Sequence, residues 1–175
     1  HAERPRMYVV GLDGAAPKRI LPDFLDGFGQ RPAVAWHPDG RRLSFWGDRI
    51  GEAPALWTVP AEGGARVKSE RSPDVARAMA AGSVNPTPFG LAWGPSGDEL
   101  YFVGFALVLN IWRVGVDPKT LQWTSGPERL TTGPGAHLEL ALSRDGSSVA
   151  FGTSTLTARI WVFSFDSING RVTAG

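Results

Sequence analysis

Cysteine is absent, and with it every disulfide and every thiolate metal site. That fits a cytoplasm or a bacterial periplasm equally. An excess of charge is absent too. The 18 basic and 17 acidic residues leave a formal net charge of +1, so nothing electrostatic calls for a nucleic acid or another polyanion as partner. Lysine is scarce, with Lys18, Lys68 and Lys119 the only three, a bias toward arginine that fits a GC-rich genome more than a binding task. Long apolar runs are missing: the longest, Leu100 to Leu109, falls well short of the roughly 20 residues a spanning helix needs, so no membrane insertion is expected. The chain opens on His1, without an initiator methionine or a signal-peptide pattern, as a processed protein or an excised piece would. Helical periodicity is also rare. The one candidate, Pro73 to Ala81, suits two turns of helix or an irregular stretch.

What the sequence does have is apolar material and turns. With 42% hydrophobic and 20% charged residues over 175 positions, it has the makings of one soluble domain able to bury about 70% of its unfolded surface. Its 22 glycines and 14 prolines are spread throughout, as many short strands joined by tight turns require. The strands repeat. Ala35-Trp36-His37-Pro38-Asp39-Gly40 leads to Leu43 and Phe45 and then to Leu56-Trp57; Ala92-Trp93-Gly94-Pro95-Ser96-Gly97 leads to Leu100 and Phe102 and then to Ile111-Trp112. Ala141-Leu142-Ser143-Arg144-Asp145-Gly146 leads to Val149 and Phe151 and then to Ile160-Trp161. Each unit offers two strands around a turn, then a third and fourth strand around another, and four antiparallel strands per repeat make the blade of a β-propeller. The segment Met7 to Leu21 matches only the back half of a unit, with Tyr8 in the place of Trp57. The expected fold is therefore all-β: a single partial β-propeller over residues 1–175, with half a blade at 1–24 and blades at 32–70, 88–131 and 137–175.

The first full unit, Trp36-His37-Pro38-Asp39-Gly40-Arg41-Arg42-Leu43-Ser44-Phe45 with Gly47-Asp48-Arg49, Leu56-Trp57-Thr58-Val59 and Glu62-Gly63-Gly64, resembles the WD-like repeats of the TolB-type propellers. The Asp48-Arg49 pair matches that family's usual second-strand ending; the second and third units lack the pair, and the third has Arg144 where the family has proline. The resemblance implies a six- or seven-bladed ring used for protein contacts, often bacterial and periplasmic, and often part of a longer chain.

Catalytic patterns are not found. The sequence has no Gly-x-Ser-x-Gly elbow, no phosphate loop and no two histidines at a zinc spacing, so neither cofactor nor metal is expected. Asp39 and Asp145 recur before glycine, which makes each the cap of its own turn. His37 fills a turn position taken by Gly94 and Ser143 elsewhere, whereas His137, in the linker to the last unit, is kept as a binding candidate. Trp57, Trp112 and Trp161 recur and are assigned to packing between blades; Trp46 and Trp123 do not recur and are free for function, with Trp46 taken as an anchor. The turn Phe105-Ala106-Leu107-Val108-Leu109 is apolar where the other units are polar. It marks a contact site or folds onto the Ser69 to Thr87 insertion. The second-to-third turns and the linkers between blades share one rim. That variable rim is the expected binding face, carried by Trp46, Asp48, Arg49, Phe105, Leu107, Leu109 and His137.

The reading is a non-catalytic protein-binding or scaffold propeller module. It is expected to contact a protein partner or the rest of a longer, periplasmic or otherwise extracytoplasmic bacterial protein, with self-association through open blade edges. The alternative is the gating propeller of a serine hydrolase such as a prolyl-oligopeptidase-type peptidase, which would need a catalytic domain elsewhere in the chain.

Overall fold

Strand parity explains the architecture. In the strand Arg42–Gly47 successive side chains point to opposite faces. Leu43 and Phe45 enter one apolar cluster, with Ile20, Leu21 and Val59. Trp46, one residue on, enters a different cluster with Leu91, Trp93, Phe102 and Trp123. A sheet buried on both faces lies between two neighbours, and that is how propeller blades stack.

The computed structural model describes residues 6–21, 33–47, 55–160, 162–166 and 168–173. The strands are β1 (Met7–Val9), β2 (Lys18–Ile20), β3 (Val34–Trp36), β4 (Arg42–Gly47), β5 (Ala55–Pro60) and β6 (Val67–Lys68). After the helix α1 (Pro73–Ala81) come β7 (Asn85–Trp93), β8 (Glu99–Ala106), β9 (Val108–Val116) and β10 (Trp123–Arg129). The last are β11 (Ala136–Leu142), β12 (Val149–Ser154), β13 (Ser164–Asp166) and β14 (Arg171–Thr173). β3 to β6 form one four-stranded antiparallel sheet and β7 to β10 another, each in chain order. These are blades one and two. β1 and β2 pair as the expected half blade and pack against blade one through Met7, Val9 and Ile20. The third unit is divided, with β11–β12 and β13–β14 in separate two-stranded sheets. Residues 155–160 between them lie in no strand, and Ile160 is exposed there; Trp161 is outside the described residues.

The three inner hairpins share one hydrogen-bond pattern. His37 N donates to Arg42 O, Gly94 N to Glu99 O and Ser143 N to Ser148 O, at 2.8–2.9 Å. Inside each, Gly40, Gly97 and Gly146 donate back to His37, Gly94 and Ser143, and all three glycines have φ between +66° and +78°. The tips nest from blade to blade. A Cβ on Gly97 would lie 3.2 Å from the His37 ring, and one on Gly146 would lie 2.8 Å from Pro95. Gly40 has nothing within 4 Å.

Blades one and two are joined by a buried polar bridge as well as by the apolar cluster. Trp93 Nε1 donates to Ser44 Oγ at 3.0 Å, and Ser44 Oγ lies 2.8 Å from Thr58 Oγ1. The linker between these blades forms α1. Ser72 caps it by accepting from Val75 N at 3.3 Å, Pro73 opens it, and Asp74 complements the positive end of its dipole. Val75 and Met79, four residues apart on one face, complete the core around Trp123.

Candidate interaction surface

Because β8 leaves the Ser96-Gly97 turn and runs away from it, its far end and the start of β9 stand on the rim opposite the three glycine turns. Phe105 pairs with Leu109 and Ala106 with Val108, so Leu107 alone reverses the chain, at φ +70°. A leucine in the left-handed region costs about 1–2 kcal/mol. Its side chain recovers nothing by burial, for Leu107 is 93% exposed and Phe105 47%. Leu109 is half-buried, and Ala106 packs against the core. This apolar tip stays in solvent. No charged residue occurs between Glu99 and Arg113. Those two pair with each other at 2.9 Å at the base of the hairpin, where Glu128 also holds Arg113 and raises its pKa.

The other expected contact residues lie elsewhere. Trp46 is 4% exposed and off the rim surface, with its ring 5.9 Å from Trp123 and 6.1 Å from Phe102, both edge-on. Parity with Ser44 sends it into the interface between blades. Trp123 is buried beside it, so the two tryptophans set apart by not recurring are core residues. His137 is buried as well: its Nδ1 hydrogen-bonds Thr131 Oγ1 at 2.8 Å, its ring meets Phe151 edge-on at 4.8 Å, and Thr131 Oγ1 accepts from Ile111 N. Its position ties the incoming linker to β9. Asp48 and Arg49 lie outside the described residues.

The glycine-turn rim is polar and self-satisfied. Burial works to raise the Asp39 pKa, but the Arg41 N–H at 2.8 Å, the Arg42 guanidinium at 2.6 Å and the neighbouring charges bring it down to about 2. At Asp145 the Ser143 hydroxyl, with Ser147, does the same, again to about 2. His37 is buried against Trp93, rings 4.8 Å apart, and desolvation followed by the Arg42 charge lowers its pKa, with Asp39 opposing. Both aspartates thus cap their turns, as expected. A groove of about 740 Å³ runs along the inner strands β3, β7 and β11, lined by Trp36, Trp93, Pro95, Leu140 and Arg144 among others. Among the described residues, no three His, Asp or Glu side chains form a group able to hold a metal ion, and no helix is long and apolar enough to cross a membrane.

No protein-family model matches the chain, and no curated protein matches it. Among solved structures, it is similar to a candidate TolB protein from Agrobacterium tumefaciens, with 18% identity over 95% of this chain and 54% of that one and a TM-score of 0.57. The chain spans about half the length of that protein. At such low identity the likeness speaks for the fold alone. Together with the stacked four-stranded sheets, it shows a partial β-propeller fold.

Proposed function

We propose that the chain is a protein-binding scaffold module of the TolB-type, WD-like propeller class, acting without catalysis through the rim that carries the β8–β9 hairpin. One observation carries the reading: Leu107 is held at φ +70° with its side chain in water, so the backbone bears strain only to present an apolar group. Phe105 and the edge of Leu109 extend that surface. The partner it fits is a protein segment with an apolar side chain to set against Leu107. A periplasmic bacterial setting accords with the likeness to a TolB fold.

We further propose that the chain belongs to a longer ring. Trp36 of blade one is 52% exposed, whereas Trp93, its counterpart in blade two, is 7% exposed because β3 and β4 lie against it. Two inner strands beside blade one would cover Trp36 in the same way. The alternative, a gating propeller of a hydrolase, draws no support from the described residues.

The test is site-specific photo-crosslinking in the producing cell, with a photoreactive residue at 107 or 105 and a control at 119 on the opposite rim. Adducts of one defined mass from 105 and 107, absent from 119 and abolished by Phe105→Asp in the Leu107 probe, support the reading. Equal labelling from both rims refutes it.

A further inference from the structure

Two strand edges in this chain are open in complementary ways. β12 pairs with β11 and, among the described residues, with no strand on its other side, whereas β4 and β8, its counterparts in blades one and two, are paired on both sides. Ser148 O accepts from Ser143 N across the β11–β12 turn, so by alternation the N–H and C=O groups of Val149 and Phe151 point away from β11, toward the open side. Phe45 and Phe102 are fully buried, but Phe151, at the same place in the repeat, is 40% exposed. The half blade has the opposite lack. β1 and β2 answer to β5 and β6, the outer pair of a blade, and among the described residues β1 has no neighbour where β5 has β4. Tyr8 is 49% exposed where Trp112 is 8%. Neither β1 nor β12 carries the charge or proline that ordinarily keeps an open edge from pairing.

One end of the chain thus has an inner pair without an outer one, and the other an outer pair without an inner one. The outer strands of the third unit do not close the gap in place, since β13–β14 form a separate sheet and Ile160 is 94% exposed. A second copy meets both needs at once. The repeat fixes the register: Phe45 stands opposite Trp57 and Phe102 opposite Trp112, which sets Phe151 opposite Tyr8 and Ala150 opposite Val9. Seated there, β11–β12 also supply the two inner strands that would cover the exposed Trp36, with Ala150 in the place that Ser44 holds against Trp93.

We propose that two copies of this chain close one ring, the β11–β12 pair of each completing the β1–β2 half blade of the other. Two whole blades from each copy and two shared ones make six, within the roughly 4–8 of propellers. The joint is head-to-tail and occurs twice, related by a two-fold axis, so no edge is left to extend a filament. The proposal rests on the reading that the chain belongs to a longer ring and is independent of the rim hairpin.

The 175-residue chain should sediment as two copies at roughly 10 µM, and Tyr8→Asp should weaken that pairing by about tenfold or more. Because the chain has no cysteine, the joint can be tested directly. Ala150 opposite Val9 repeats the pair Ser44 and Thr58, whose hydroxyl oxygens lie 2.8 Å apart, so cysteines at both places are within disulfide reach. Val9→Cys mixed with Ala150→Cys should give, on oxidation, a covalent pair holding one chain of each, while Lys119→Cys mixed with Ala150→Cys should give none. A single-copy mass without the mixed crosslink would overturn the two-copy ring and leave the contact through Leu107 untouched. Masses that grow beyond two copies would overturn closure. So would an intramolecular bond in a Gly152→Cys, Ile160→Cys chain, the pair joined if the third unit completes its own sheet as β8 and β9 do at Val103 and Ile111.

Discussion

Ser44→Ala should uncouple two blades by removing a single oxygen. The Ser44 hydroxyl is fully buried, accepts from the Trp93 indole at 3.0 Å and shares a 2.8 Å hydrogen bond with Thr58. Alanine fits the space, so the loss is polar rather than steric. The Trp93 N–H then faces a methyl group, and a buried donor left unpaired costs about 1–3 kcal/mol. The Thr58 hydroxyl, 2% exposed, loses its partner in the same step. The sum is placed at about 2–3 kcal/mol. For a chain of this length that is a fall in Tm of roughly 4–12 °C. Urea unfolding at pH 7, followed by far-ultraviolet circular dichroism, measures it directly. Trp93→Phe removes the donor from the other side, so a cycle of the two variants isolates the bond. The double variant should cost less than the two singles together by about 1 kcal/mol or more. A Ser44→Ala protein within 0.5 kcal/mol of the parent, or strictly additive variants, would refute the argument.

Other outcomes follow from the same geometry. Gly40→Ala should cost about 1–2 kcal/mol, the backbone penalty alone, because nothing lies near its Cβ, whereas Gly146→Ala should cost clearly more because its methyl meets the Pro95 ring at 2.8 Å; equal losses on thermal melting would contradict the nesting of tips. Leu107→Gly should raise stability by up to about 1 kcal/mol by releasing the left-handed leucine, and a loss in chemical denaturation would show that Leu107 is packed after all. Stability should also fall in acid in two stages. The folded His37 pKa is lowered from 6.5, so its contribution is whole above that pH and declines as the pH drops below it; the folded Asp39 pKa is lowered from 3.8 to about 2, so its contribution is whole above pH 4 and disappears on approach to 2. His37→Gln should flatten the first stage and Asp39→Asn the second, and profiles parallel to the parent would count against both assignments.

Recurrence made the hairpins, their glycine turns and the half blade legible in the sequence, since a residue demanded by every blade appears in every unit. Recurrence misled where neighbours differ. Trp46 and Trp123 pack against each other in one cluster together with Val75 and Met79 of α1, which the other units lack, so uniqueness marked an irregular interface rather than a surface. Parity along β4 was the signal that could have placed Trp46, two positions from the inward Ser44. The Leu107 tip was readable from its composition, because an apolar turn has no local reason to be apolar. Its left-handed backbone was not, since leucine is a residue that avoids that conformation. The division of the third unit escaped the pattern for an energetic reason: almost every residue of β12 is exposed, so little burial drives a third strand to join it.

The nested tips also govern curvature. Gly97 against His37 and Gly146 against Pro95 fix how closely one sheet leans on the last, and so the angle through which each successive sheet turns. A methyl wedged at one tip would open that angle slightly, and in a circular arrangement every such increment adds to the next. At these two contacts the approach of neighbouring sheets therefore depends on residues that carry no side chain at all.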